Sequence, residues 1–275
     1  MNDFLTVRLN GNEISMMKLN GTIIYQKDVE PEPADKIFVA YIFQNYDYEY
    51  SEELDVWPRL KKYGESYELG TDWTYTETIN GNWTVRTLEY ITRMPEILVF
   101  DGWPLRSVHI KNLKVIKTLA FNGDYQFTKL TASPDAWDTS EVTDMRTLFY
   151  YCGVTEIPGP VDCSNASSGL YYSETYHAFY RCHLSTLYLK NIYKNCTMTN
   201  ESKWSIDLRT ENNYTGGVKD ECLIDIFNEL PDLINDKGLT DTSNIFIGLP
   251  HKNNLTDEQK SVALNKGWTI KEDAL

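Results

Sequence analysis

Histidine is scarce in this chain of 275 residues. The four histidines are His109, His177, His183 and His251, and none lies in an HExxH, GxSxG, GxGxxG or P-loop pattern. The sequence therefore lacks the usual motifs of zinc enzymes, nucleophilic hydrolases and nucleotide-binding enzymes. His177, Cys182 and His183 are close in sequence, but further metal ligands at a recognisable spacing are missing. We expect no catalytic residue, no metal site and no cofactor.

Cysteine is also sparse, and the spacing of the cysteines matches no known metal-binding motif. The cysteines are odd in number and form no CxxC pair, so the sequence indicates neither a zinc knuckle nor a disulfide framework. We expect reduced, buried thiols that pack as small apolar groups. They are Cys152, Cys163, Cys182, Cys196 and Cys222.

Basic residues are outnumbered, with 26 Lys and Arg against 40 Asp and Glu and a net charge of −14. This balance argues against nucleic acid and anionic membranes as partners, since both attract clustered basic side chains. No segment reaches about 18 uninterrupted apolar residues. Residues 1 to 27 lack a basic start, an apolar core and a small-residue cleavage site, so we expect neither signal-dependent export nor a membrane span.

Aromatic residues, by contrast, are abundant at 13% of the chain, with 19 Tyr and 7 Trp. Such amphipathic rings favour extended surfaces and interfaces, so composition points to binding. The tyrosines that we consider for an exposed face are Tyr150, Tyr151, Tyr171, Tyr172, Tyr176 and Tyr180. Tyr171, Tyr172 and Tyr176 are the predicted binding residues.

Two Asn-Gly pairs, at Asn10 and Asn20, divide the first residues into three short β-like runs. Asn-Gly favours the type I′ turn of a hairpin, so residues 1–27 are predicted to form a three-stranded β-module. A module this small rarely folds alone, and we expect it to attach to a partner. Residues 28–36, with two Glu-Pro pairs, are predicted to be a linker.

Residues 37–96 read as a β-rich module with a hairpin at Asn80-Gly81. Within it, Asn45 to Asp55 alternates aromatic and acidic residues. This segment is either a calcium-binding or sugar-binding loop or, as we favour, a solvated loop, because the EF-hand spacing is absent. In residues 97–275 short β-like runs recur, and helical patterns cover Asp220 to Leu230 and the residues after Thr256.

The run from Trp137 to Cys152 is the most informative stretch, because its end recurs thirty residues later as Ala178 to Cys182. Fixed spacing of this kind is typical of stacked structural units. The predicted core positions of these units are Trp137, Val142, Met145, Leu148, Phe149, Cys152, Phe179 and Cys182.

Trp137 to Met145, completed by Leu148, Phe149 and Cys152, resembles the repeat unit of BspA-like leucine-rich repeat proteins. The second copy departs from that unit at Asp162 to Gly169, so a short array is expected. The tail from Leu255 to Ile270 looks like the closing unit of such proteins from phages and gut bacteria. The first residues look like small modules of phage tail and fibre proteins. The resemblance implies a mainly β or α+β chain whose residues 97–275 form a short leucine-rich-repeat-like solenoid with helices in its C-terminal third.

Taken together, these features favour a phage virion structural protein of a tail, baseplate or capsid-decorating fibre. Its expected partners are other virion proteins, through residues 1–27, and a host-surface glycan or protein, and homo-oligomers are expected from particle symmetry. Assembly in the host cytoplasm fits the missing signal. The alternatives are a bacterial cell-surface adhesin and, since any two carboxylates can form a glycosidase pair, a glycan hydrolase.

Overall fold

The computed structural model describes most of the chain from residue 36 onward and three segments before it. The described residues are 3–9, 12–19, 22–26, 36–44, 46–47, 52–53, 58–62, 65–66, 72–91, 94–101, 105–122, 126–173, 176–199, 201, 204–209, 218–239, 243–247 and 254–271. For residues 3–9, 12–19, 22–26, 46–47, 52–53, 59, 61–62, 65–66, 101, 172–173 and 176 only the backbone is described. The predicted linker, apart from Lys36, lies outside these residues.

Most regular structure in the described residues is β-strand. The strands are β1 (Asp3–Leu9), β2 (Asn12–Leu19), β3 (Thr22–Gln26), β4 (Ile37–Gln44), β5 (Tyr46–Asp47), β6 (Glu52–Glu53), β7 (Arg59–Lys62), β8 (Glu65–Ser66), β9 (Trp73–Asn80), β10 (Trp83–Tyr90), β11 (Ile97–Asp101), β12 (Leu105–Ile110), β13 (Thr118–Asn122), β14 (Lys129–Ala132), β15 (Val161–Asp162), β16 (Tyr171–Ser173), β17 (Tyr176–His177), β18 (Leu189–Lys190), β19 (Ile206–Asp207), β20 (Asn244–Phe246) and β21 (Thr269–Lys271). The helices are α1 (Asp220–Glu229) and α2 (Asp257–Asn265).

The first three strands form a sheet of their own, in the order β1-β2-β3. Both pairs are antiparallel, with Leu9 opposite Asn12 and Leu19 opposite Thr22. The sequence predicts this meander from its Asn-Gly pairs, whose own residues lie outside the described part of the chain. The N-terminal residues thus form a separate small β-sheet.

Two larger sheets hold the middle of the chain. One has the order β14-β12-β4-β10-β9 and the other the order β13-β11-β7-β8. The predicted hairpin joins β9 to β10, and Gly81 in its turn has a φ of +60°, which glycine adopts without steric cost. Each sheet combines strands from both sides of residue 96, so the predicted boundary between modules 37–96 and 97–275 runs through two sheets.

A column of aromatic rings crosses the core. Phe100 stacks on Phe121 with ring centroids 6.0 Å apart, Phe121 on Phe149 at 5.8 Å, and Phe149 on Phe179 at 6.4 Å. Each of these rings is at most 1% exposed. Offset stacking adds to the free energy of burial, so the column stabilises the contacts between successive chain turns.

The predicted leucine-rich-repeat-like solenoid is wrong. In the described residues after β14, strands are only two or three residues long and pair in separate small sheets, β15-β18, β16-β17 and β19-β20-β21. Elsewhere the turns are joined by a few backbone hydrogen bonds that belong to no pair of named strands, such as Phe121 N to Leu148 O at 2.8 Å and Phe149 N to Ala178 O at 2.7 Å. These bonds do not form a continuous ladder, so the described fold is mainly β, assembled from several sheets with two short helices.

Both described helices lie in the C-terminal third of the chain. Helix α1 ends before Pro231, which cannot continue a helix. Helix α2 begins with a capping box, in which Thr256 and Gln259 each accept a bond from the other's backbone. The Lys266 Nζ atom donates to the carbonyl oxygens of Phe227, Asn228 and Leu230 at 3.0, 2.6 and 2.8 Å. One ammonium group thus satisfies the exposed carbonyls at the end of α1.

Candidate functional site

The candidate site is a partly exposed group of side chains that we call the aromatic patch: Tyr150, Tyr151, Tyr180 and Arg181. These residues directly follow Phe149 and Phe179, which are anchored in the core. The Tyr151 N–H donates to the carbonyl of Tyr180 at 2.8 Å, so the two chain segments are fixed side by side. The thirty-residue repeat therefore brings two equivalent surface positions together.

The rings of the aromatic patch contact one another closely. Tyr150 stacks on Tyr180 with centroids 5.6 Å apart and planes 22° apart, and Tyr151 lies 5.7 Å from Tyr180. The Arg181 guanidinium lies 4.7 Å from the centre of the Tyr151 ring and 5.3 Å from that of Tyr180. Its Nη1 atom also donates to the Tyr151 hydroxyl. These contacts hold the aromatic patch in one arrangement before any ligand arrives.

The backbone of the aromatic patch is strained at two equivalent positions. Tyr151 and Arg181 have φ angles of 55° and 54°, in the left-handed region that non-glycine residues rarely occupy. Each such residue costs roughly 1–2 kcal/mol. Glycine would remove this cost, yet both positions carry large side chains on a partly exposed surface. Asp135, Asn191 and the buried Tyr193 have similar positive φ angles, so this conformation recurs in the described turns, and at Tyr151 and Arg181 it coincides with partly exposed side chains.

The chemistry of the aromatic patch suits a sugar. Tyrosine rings present flat apolar faces on which the C–H groups of a pyranose can lie, and their hydroxyls bond in the plane. A guanidinium offers several donors to hydroxyl or carboxylate oxygens. Preorganised rings lose little conformational entropy on binding, which favours affinity.

His177, Asp207 and Arg209 form a buried group, which we call the charge cluster, and His177 packs against Tyr180 of the aromatic patch. His177 lies edge-on to Tyr180, with ring centroids 5.2 Å apart, and its Nε2 atom is 3.4 Å from Asp207 Oδ2. Asp207 accepts two hydrogen bonds from the Arg209 guanidinium, at 2.9 and 2.5 Å, and one from the Arg209 backbone N–H, at 3.0 Å. His177 is 1% exposed, and its Nδ1 atom has no hydrogen-bond partner among the described residues. Burial lowers the pKa of His177 to about 4, Asp207 opposes this shift and Arg209 adds to it.

The structure corrects one predicted binding residue. Tyr171 is only 7% exposed, because its ring stacks between His177, at 6.1 Å, and Phe246, at 5.7 Å. It is a packing residue of the charge cluster and not part of an exposed face. The side chains of Tyr172 and Tyr176 lie outside what the structure describes, so their predicted binding role stays a prediction.

The predicted core positions of the repeated unit lie in the interior. Val142, Met145, Leu148, Phe149, Cys152, Phe179 and Cys182 are at most 1% exposed. Trp137 is partly buried, and its ring stacks on Phe121 at 6.5 Å. The one site residue that sequence reasoning passed over is Arg181. The signal was present, since Arg181 stands thirty residues after Tyr151 in the repeated unit.

The structure describes only part of the residues on which the remaining sequence predictions rest. Of the acidic tyrosine segment, the strand pair of Tyr46-Asp47 with Glu52-Glu53 is described, and the rest lies outside the described residues. Across the part of the chain that the structure describes, no three His, Cys, Asp or Glu side chains are grouped to hold a metal ion. No described helix has the length and apolar character to cross a membrane.

No protein-family model, no curated protein and no solved structure matches the chain.

Proposed function

We propose that the chain is a structural protein of a phage virion that presents the aromatic patch to a glycan of the host surface. The observation that carries this proposal is the pair of strained, partly exposed residues Tyr151 and Arg181, packed against Tyr150 and Tyr180. Three preorganised tyrosine rings with a guanidinium among them match the alternating apolar and polar faces of a sugar.

The small N-terminal sheet supports the mounting half of the proposal. Strands β1, β2 and β3 pair only with one another among the described residues. Such a sheet gains stability from contact with another surface. It would attach the chain to the particle, while the aromatic patch remains free to bind. The likeness of the tail, Leu255 to Ile270, to the closing unit of proteins encoded by phages and gut bacteria supports the same assignment.

A glycan-binding array tests the display half. The purified chain should bind a restricted set of glycans, and Tyr180→Ala should abolish this binding. Tyr188→Ala is the matched control, because Tyr188 is 39% exposed and lies outside the aromatic patch. Binding that survives Tyr180→Ala, or no glycan binding at all, would remove the aromatic patch from the proposed function.

Particle incorporation tests the mounting half separately. A chain without residues 1–27 should stay folded, as circular dichroism would show, and should be missing from purified particles of the phage that encodes it. Normal incorporation of the shortened chain would rule out the N-terminal sheet as the attachment module.

A further inference from the structure

A concave surface is lined by residues outside the aromatic patch, and we call it the Tyr188 groove. It has a volume of about 440 Å³, within the range of ligand-binding clefts. Its lining combines apolar and polar groups: Glu156, Ile157, Gly159, Pro160, Thr186 and Tyr188. Two chain segments thus form its walls, one from residues 156–160 and one from residues 186–188.

The walls of the Tyr188 groove are fixed by hydrogen bonds. The Trp137 indole N–H donates to the carbonyl of Pro160 at 3.1 Å. Ser185 donates from its backbone N–H, at 3.0 Å, and from its hydroxyl, at 3.2 Å, to the carbonyl of Thr155. Gly159 lies close to Trp137, since a Cβ atom there would be 3.3 Å from Cδ1 of the indole. The groove therefore exists before a ligand enters it.

Three carboxylates lie in or near the Tyr188 groove. Glu156 belongs to the lining, and Glu221 and Asp225 lie one turn apart on helix α1, hence on one face. The pKa of Tyr188 is raised, first by a hydrogen bond with the Cys222 thiol and further by Asp225 and Glu221. Glu156, Glu221 and Asp225 are exposed and form no ion pair with any described residue.

A basic residue, Lys219, is next to the acidic start of helix α1 in the sequence. Lys219, at the start of α1, donates its backbone N–H to the carbonyl of Ser185 at 3.1 Å. The acidic residues 221 and 225 follow it along the helix and outnumber it. A chain with a net charge of −14 reinforces this local excess of negative charge.

We infer that the Tyr188 groove docks an extended segment of a partner protein in which an apolar side chain is flanked by lysine or arginine. The apolar side chain would contact Ile157, Pro160 and the ring of Tyr188. The flanking cations would pair with Glu156, Glu221 and Asp225. Charge complementarity selects this occupant, because the exposed carboxylates repel acidic segments and attract basic ones. This inference goes beyond the proposed glycan binding and does not depend on it.

Fluorescence anisotropy with two labelled peptides tests the inference on the intact chain. One probe is Lys-Leu-Lys-Leu-Lys and the other is Glu-Leu-Glu-Leu-Glu, so that only the charge differs. The basic probe should bind at least tenfold more tightly, and its affinity should fall as salt is raised. Tyr188→Ala should weaken binding about tenfold, while Tyr180→Ala, in the aromatic patch, should not change it.

A pair of double variants separates local charge from net charge. Glu221→Gln with Asp225→Asn should weaken binding of the basic probe about tenfold and reduce its salt dependence. Asp236→Asn with Glu258→Gln removes the same two charges at exposed positions elsewhere and should leave the affinity unchanged. Equal losses in both pairs would show nonspecific attraction and overturn the inference. So would equal binding of the two probes, or self-association of the chain that Tyr188→Ala abolishes, since a second copy would then occupy the groove.

Discussion

Tyr150 and Tyr180, thirty residues apart, stack with ring centroids 5.6 Å apart directly above the buried pair Phe149 and Phe179, whose centroids are 6.4 Å apart. One repeated Phe-Tyr pair thus produces both a core contact and a surface contact. Since the buried rings set the positions of the exposed rings, the core supports the proposed binding surface directly.

Replacing a ring of the aromatic column should be costly. Phe149→Ala removes a fully buried ring that stacks on two others and should lower the free energy of unfolding by about 3–5 kcal/mol. Leu264→Ala, at a position that is 51% exposed on α2, is the control and should change it by less than about 0.5 kcal/mol. Urea unfolding measures both. A loss below about 1 kcal/mol for Phe149→Ala would show that the column contributes little.

The ammonium group of Lys266 should stabilise the end of helix α1. Lys266→Met keeps the length of the side chain but leaves three carbonyl oxygens without this donor, and should cost about 1–3 kcal/mol. Lys260→Met, on α2 and without a comparable carbonyl cluster, should be nearly neutral. If thermal unfolding gives equal midpoints for the two variants, the contact is energetically irrelevant.

His177 should make the stability depend on pH. Its pKa is lowered from 6.5 to about 4 in the folded chain, so between these values the unfolded chain binds more protons. The stabilisation is therefore complete above pH 6.5 and declines as pH falls towards 4, by about 3 kcal/mol in total. Burial, together with Lys111 and Lys129, also lowers the pKa of His109 to about 4. His109 therefore adds a similar dependence of stability on pH.

The variant His177→Gln separates the contribution of His177 to the pH dependence of stability from that of His109. It should unfold more easily at pH 7, because packing is lost, but its stability should fall less steeply than that of the parent chain between pH 6.5 and 4. Urea unfolding at several pH values measures the two slopes. Identical slopes would mean that His177 does not titrate with a lowered pKa in the folded state.

The cysteines should be chemically inert while the chain is folded. All five are buried and free of disulfides, and burial raises the pKa of Cys182 to about 12. A thiol reagent at pH 8 should therefore label no cysteine quickly in the native chain and all five in guanidinium chloride. Fast labelling of any cysteine in the native chain would show that its site opens readily.

Sequence reasoning succeeds where the cause is local. Asn80-Gly81 specifies a turn by its own φ preference, so the β9-β10 hairpin is predictable. It fails where residues distant in the sequence determine whether a side chain is buried. Tyr171 is buried because Phe246, far along the chain, covers its ring, and no local pattern contains that contact. The solenoid prediction fails for a related reason: repeated side chains recur, but the backbone bonds between turns are too few and scattered to form a continuous ladder.

We propose that the positive φ of Arg181 serves binding and not folding. Arg181→Gly tests it most directly, because glycine relieves the positive φ while removing the guanidinium. Calorimetric titration with a glycan selected on the array should show a loss of affinity of at least tenfold, while urea unfolding gives a stability within about 1 kcal/mol of the parent chain. Unchanged affinity, or a large loss of stability with binding intact, would contradict this account.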